Sequence, residues 1–175
     1  MKKYLVASVL SMGILWANPA FAQSTASATA TGSTTIIQPV TITKTSDLIF
    51  GRVVRPATVS DTISMTNASD AVTATGGTAF PIATTGVTTS RAKFTVAGEG
   101  AQTVSITVPA NFSMTGTGTA IVVTLSSDKT GSQALGGTLG TSSSIVVNVG
   151  GSFPLAATQA TGAYSGSFVV SAAYN

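Results

Sequence analysis

In the closing run Gly162–Asn175, every even position is apolar or glycine: Gly162, Tyr164, Gly166, Phe168, Val170, Ala172 and Tyr174. Successive side chains of a strand point to opposite faces, so the tyrosines, Phe168, Val170 and Ala172 of such a strand share one face. An apolar stripe of that length has to be covered, either by the rest of the same sandwich or by another molecule. That alternative separates a monomer from a fibre subunit.

The same period of two recurs upstream, and helical periodicity is missing beyond the first residues. Thr, Ser, Ala, Gly and Val dominate the 175 residues. Branched β-carbons favour a pleated surface, and hydroxyl groups keep it wet without charge. The alternation predicts strands at 35–43, 48–53, 59–65, 71–74, 90–96, 103–108, 120–125, 144–149 and 162–174. Glycines at Gly76-Gly77, Gly98-Glu99-Gly100, Gly116-Thr117-Gly118 and Gly136-Gly137 mark reversals. Short alternating runs between such turns read as an all-β protein, an Ig-like (pilin-like) β-sandwich.

The first residues read as an export address. Lys2 and Lys3 precede an apolar run from Leu5 to Ala17, and Ala20-Phe21-Ala22 has the small residues of a cleavage site at Ala20 and Ala22. The run falls short of the roughly 20 apolar residues that a spanning helix needs. Residues 1–22 are therefore expected to be a signal peptide and 35–175 a single sandwich domain. Between them, 23–34 is a low-complexity leader or a donor strand. The expected route is export, through the periplasm to the cell surface or the medium. Removing Lys2 and Lys3 leaves Lys44, Arg52, Arg55, Arg91, Lys93 and Lys129 against Asp47, Asp61, Asp70, Glu99 and Asp128. No basic stripe with interleaved aromatics results, so nucleic acid is not an expected partner. Arg91 and Lys93, on one strand face, read as a solvated edge.

The chain has neither histidine nor cysteine. Their absence removes the commonest general base, the thiolate nucleophile and the usual transition-metal ligands. The five acids stand singly in turn-like contexts, and no catalytic residue, metal ligand or cofactor site is assigned. Ser126-x-x-Lys129 lacks the helix and companion motifs of the penicillin-interacting enzymes and reads as a turn. Gly116-x-Gly118 has no helix behind it to face a phosphate. Asn67-Ala-Ser69 and Asn111-Phe-Ser113 read as turn residues, and Thr41-x-Thr43-x-Thr45 as plain β-propensity.

The closing run resembles the C-terminal signature of chaperone–usher pilins: a glycine fourteen residues from the end, alternating apolar residues, and a penultimate tyrosine. In that family the last strand borders an open groove that a periplasmic chaperone occupies first and a neighbour's N-terminal extension fills afterwards. The resemblance makes Gly162, Tyr164, Gly166, Phe168, Val170 and Tyr174 the groove strand. It makes Ala26, Ala28, Ala30, Gly32 and Ile36 the alternate residues of a donor strand. Fully extended, residues 23–37 reach about 50 Å, enough to cross a sandwich. The chain as a whole is similar to a family of secreted bacterial domains of unknown function. The residues in common are Asp47-Leu48-Ile49-Phe50-Gly51, Val149-Gly150-Gly151-Ser152-Phe153-Pro154-Leu155 and Gly162-x-Tyr164-x-Gly166-x-Phe168.

The resemblance implies a structural subunit of a pilus- or fimbria-like surface fibre, joined by donor-strand exchange and serving adhesion or biofilm formation. Its expected partners are other copies of itself and a periplasmic chaperone. The alternative is a monomeric secreted or surface-attached sandwich that binds a glycan or protein. A small outer-membrane barrel is a third reading, with few aromatics for its interfacial girdles.

Overall fold

The computed structural model describes residues 25–82 and 88–175, and these contain thirteen strands and no helix. The expected signal segment, with Ala20 and Ala22, lies outside the described residues. The chain divides into two units, Met1–Thr35 and Ile36–Asn175. In the first, residues 25–35 belong to no strand and their side chains are exposed.

The second unit is an all-β sandwich. Its strands are β1 (Thr41–Ser46), β2 (Arg52–Val54), β3 (Asp61–Met65), β4 (Val72–Thr75), β5 (Phe80–Ile82), β6 (Ala92–Glu99) and β7 (Thr103–Thr107), followed by β8 (Asn111–Gly116), β9 (Ile121–Ser127), β10 (Gly131–Ala134), β11 (Ser142–Leu155), β12 (Tyr164–Ser165) and β13 (Ser171–Tyr174). The largest sheet runs β1-β6-β11-β9-β8-β12, with β3 and β4 added on β11. Among the described residues the path from β1 to β12 does not close on itself, and β4 ends the branch on β3. A smaller sheet runs β10-β7-β13, and β2 pairs with β5.

The 14-residue strand β11 organises both ends of the sandwich. Its first part, Ser142–Val149, pairs with β6, and its last part, Gly151–Leu155, pairs with β3. Residues Val149–Ser152 pair with β9. The overlap in residues puts β9 on one edge of β11 and both β6 and β3 on the other.

Two apolar cores follow from this arrangement. In the first, Phe94, Val96, Val147 and Val149 of the large sheet face Val104 and Ile106 of β7, closed by Leu135 and Val170. In the second, Ile63, Met65, Ile121, Val123, Phe153 and Leu155 surround Phe50. The Phe50 and Phe153 rings meet edge to face at 5.0 Å. Leu48 and Leu125 pack against both cores.

Several strand expectations shift. The first strand starts at Thr41 instead of residue 35, and Thr41 and Thr45 donate their hydroxyls to the Ala97 and Lys93 carbonyls of β6. Threonines that bond their own neighbour strand fit the β-propensity reading. Asn111-Phe112-Ser113 lies in β8 rather than in a turn, and β5 and β10 had no strand expectation at all. Arg91 and Lys93 are not a solvated edge. Both reach the Asp70 carboxylate, at 3.5 and 3.6 Å, and the Arg91 amide donates to it.

Candidate functional site

The expected closing strand 162–174 is two strands. Tyr164-Ser165 pairs with β8 in the large sheet, and Ser171–Tyr174 pairs with β7 in the small one. Residues 166–170 cross between the sheets and belong to no strand. At Gly166 the run lies directly on β8 before it leaves, since a Cβ there would collide with the Ser113 carbonyl oxygen. The facing is nonetheless as parity predicts. Tyr164, Phe168, Val170, Ala172 and Tyr174 are buried or half-buried, while every odd position from 163 to 175 is exposed.

The groove-strand residues divide between two features. The first is a clasp around Tyr174. Its hydroxyl donates to the Gln38 carbonyl (2.8 Å) and accepts from the Glu99 amide (2.6 Å). The Glu99 carboxylate, 2% exposed, accepts from the amides of Gln38 and Gly140. A buried carboxylate needs such donors, since desolvation without partners is costly. The Tyr174 ring lies on Gly98, where an added Cβ would sit 2.5 Å from its oxygen. The clasp ties the closing run to Gln38, three residues before β1 begins. Neither Glu99 nor Gln38 was singled out from sequence.

The second feature is a trough with an apolar floor. Its walls are the segment from Lys44 to Arg55 and the segment from Gln159 to Phe168. Phe94, Phe112, Met114, Ile121, Phe153 and Leu155 form its floor. Its larger part, about 800 Å³, lies beside Gly162 and Tyr164, and a narrower part of about 250 Å³ lies beside Phe168. The two parts are adjacent, and Leu48, Phe112 and Gly166 line both.

The elements on either side explain why it stays open. β12 ends the order of the large sheet, so its outer edge has no strand partner among the described residues. On the opposite wall, Ile49 exchanges hydrogen bonds with Ser90, while Leu48, Phe50 and Gly51 belong to no strand ladder. Leu48 and Phe50 turn their side chains to the cores. The backbone between them is tied to Ser90 through Ile49, so the open sheet edge at the trough is that of β12, the kind of edge to which an extended segment can add.

The site residues take definite places along this trough. Gly162, with φ of +147°, adjoins Thr117 at the wide end. The Tyr164 hydroxyl donates to the Ala160 carbonyl (2.9 Å) and accepts from Gln159 Nε2 (2.8 Å), which pins the loop before it. Arg55 reaches across the wide end to the Gln159 carbonyl at 3.0 Å. Phe168 stands at the narrow end, its ring 5.1 Å from that of Phe112 and 6.2 Å from that of Phe94. Val170 has left the trough for the first core. The structure thus brings Gly162, Tyr164, Gly166 and Phe168 together along the trough and places Tyr174 in the clasp. Of the donor residues, Ala26, Ala28, Ala30 and Gly32 are exposed and outside any strand, and Ile36 is 89% exposed.

Of the residues lining the trough, Lys44, Asp47, Arg52 and Arg55 are charged. Lys44 and Asp47 pair at 2.5 Å by the narrow end, where exposure leaves the pair worth little. The acids with perturbed ionisation lie elsewhere. The Arg91 amide, with Lys93 and Arg91 nearby, holds the Asp70 carboxyl below its usual range. Burial pushes the Asp128 carboxyl up, but hydrogen bonds from Asn148 and Lys129 outweigh it and hold the group low. Among the described residues, no three His, Cys, Asp or Glu side chains gather as metal ligands would.

A family model described as a domain of unknown function (DUF4402) matches residues 40–174. No curated protein and no solved structure matches the chain.

Proposed function

We propose a structural role for this chain, which belongs to the DUF4402 family, a domain of unknown function that spans nearly the whole sandwich. The role is that of a subunit of a pilus- or fimbria-like surface fibre, exported across the periplasm and built by strand donation between copies. It serves adhesion or biofilm formation. The observation that carries this reading is the trough, a cavity of about 800 Å³ floored by Phe112, Phe153 and Leu155, beside the outer edge of β12 (Tyr164–Ser165), which has no strand partner among the described residues. Apolar surface and unused backbone groups side by side are both costly in water, and an inserted strand answers both at once. In the periplasm a chaperone strand would cover the same trough until a second copy replaced it.

Deleting residues 23–35 tests the reading. Sheared cell-surface material from cells making the full chain should show fibres that carry it under negative stain. The deletion should abolish them while the purified protein keeps its β-sheet circular dichroism. Fibres that persist without those residues would overturn strand donation.

One observation favours a free-standing sandwich that binds a glycan or protein through the same trough. The first core is already closed by the chain's own β13 and Val170. A monodisperse monomer at high concentration, with no surface polymer, is the outcome that reading expects.

A further inference from the structure

Charge pairing singles out one place on the sandwich. Lys44, Arg91, Lys93 and Lys129 each pair with an aspartate. Arg52 and Arg55 pair with no acid among the described residues, and both line the wide part of the trough. Among the described residues, no Asp or Glu lines that part. Gly51, at φ +74°, turns the chain there between buried Phe50 and exposed Arg52. Going beyond the fibre reading, we infer that the wide part of the trough is a binding site for a fatty acid. The carboxylate meets Arg52 and Arg55, and the acyl chain lies over the floor.

The chemistry of the lining selects this class. The floor is Phe112, Met114, Ile121, Phe153 and Leu155, side chains that donate no hydrogen bond and reward apolar area. The polar side chains of Gln159 and Tyr164, also in the lining, are engaged. Gln159 Nε2 donates to the Thr119 carbonyl and the Tyr164 hydroxyl, and that hydroxyl donates to the Ala160 carbonyl. A sugar, with a hydroxyl on nearly every carbon, would leave several of them unpartnered against such a floor. An acyl chain has none to satisfy. Arg55 commits Nη1 to the Gln159 carbonyl, which leaves most of its guanidinium donors for a ligand. A guanidinium fork takes a carboxylate through two parallel hydrogen bonds. The volume, about 800 Å³, also suits a small-ligand site. A donated strand and this ligand would claim the same space, so the site belongs to a subunit whose trough is still empty.

Calorimetric titration of the purified chain with decanoate tests the inference and needs no fibre. Decanoate should bind, decan-1-ol about tenfold or more weakly than that for want of charge-assisted bonds, and decylammonium not at all. Each two-carbon step from octanoate to dodecanoate should tighten binding about tenfold. Arg52→Gln should weaken decanoate about tenfold and leave decan-1-ol unchanged, a split that a misfolded variant does not give. No decanoate binding up to about 1 mM would overturn the site. Equal binding of decanoate and decan-1-ol, or of decanoate to the variant and the unaltered chain, would overturn the arginines as its head-group clamp and the inference with them. Fibres, present or absent, decide the reading above and leave this titration unaffected.

Discussion

The smallest unit with a testable role is a single hydroxyl. Tyr174→Phe leaves the Glu99 amide and the Gln38 carbonyl without their shared partner. It should cost about 1–3 kcal/mol in urea unfolding; an unchanged midpoint would mean the clasp contributes nothing. Two carboxylates make the acid side of the stability curve predictable. The folded pKa values of Asp70 and Asp128 lie below their unfolded ones. Their contribution is therefore present above about pH 4 and is lost as pH falls through the lowered values. Thermal midpoints should drop between about pH 4 and pH 2. The double variant Asp70→Asn, Asp128→Asn should start lower at neutral pH and show a flatter acid limb, and an unaltered limb would refute the assignment. Parity made the inward facing of Tyr174 legible. Its partners were not legible, because Gln38 lies 136 residues away and Glu99 sits in a Gly98-Glu99-Gly100 string that reads as a bare turn. Gly98 is in fact the surface on which the tyrosine ring rests.

The closing run shows what alternation can and cannot specify about an element. It specifies which side chains turn inward, and Tyr164, Phe168, Val170, Ala172 and Tyr174 all do. It does not specify the partner, since a strand that leaves one sheet for another keeps the same period on both sides of the crossing. Gly166 lets the run lie against β8, and Gly166→Ala should cost about 1–3 kcal/mol in denaturant unfolding through contact with the Ser113 carbonyl. A neutral effect would show that the run lifts off β8 freely. β8 was hidden by its Asn111-Phe112-Ser113 start, and β10 by Gly131-Ser132-Gln133-Ala134, which has no large apolar residue to mark a period. The trough was hidden for another reason. Its walls, residues 44–55 and 159–168, are far apart in sequence, and no local pattern records that the space between them is empty.

For the whole molecule, an absence of helix, a hydroxyl-rich composition and regular glycine breaks were enough to indicate a sandwich. They did not indicate that it has two cores joined through one element. Phe153→Ala removes the ring that meets Phe50 and should cost about 3–5 kcal/mol. The loss should also be visible at the other core, because Val147 and Val149 belong to the same 14-residue strand. Probes placed separately in the two cores should report a single coincident transition on heating, for the unaltered chain and the variant alike. Two separated transitions would refute that coupling. β11 acts as a spar running the length of the frame, stitched on one side to β6 and then β3 and on the other to β9. A frame with one spar cannot come apart in halves, so tension applied at either end of such a subunit would be resisted by both cores together.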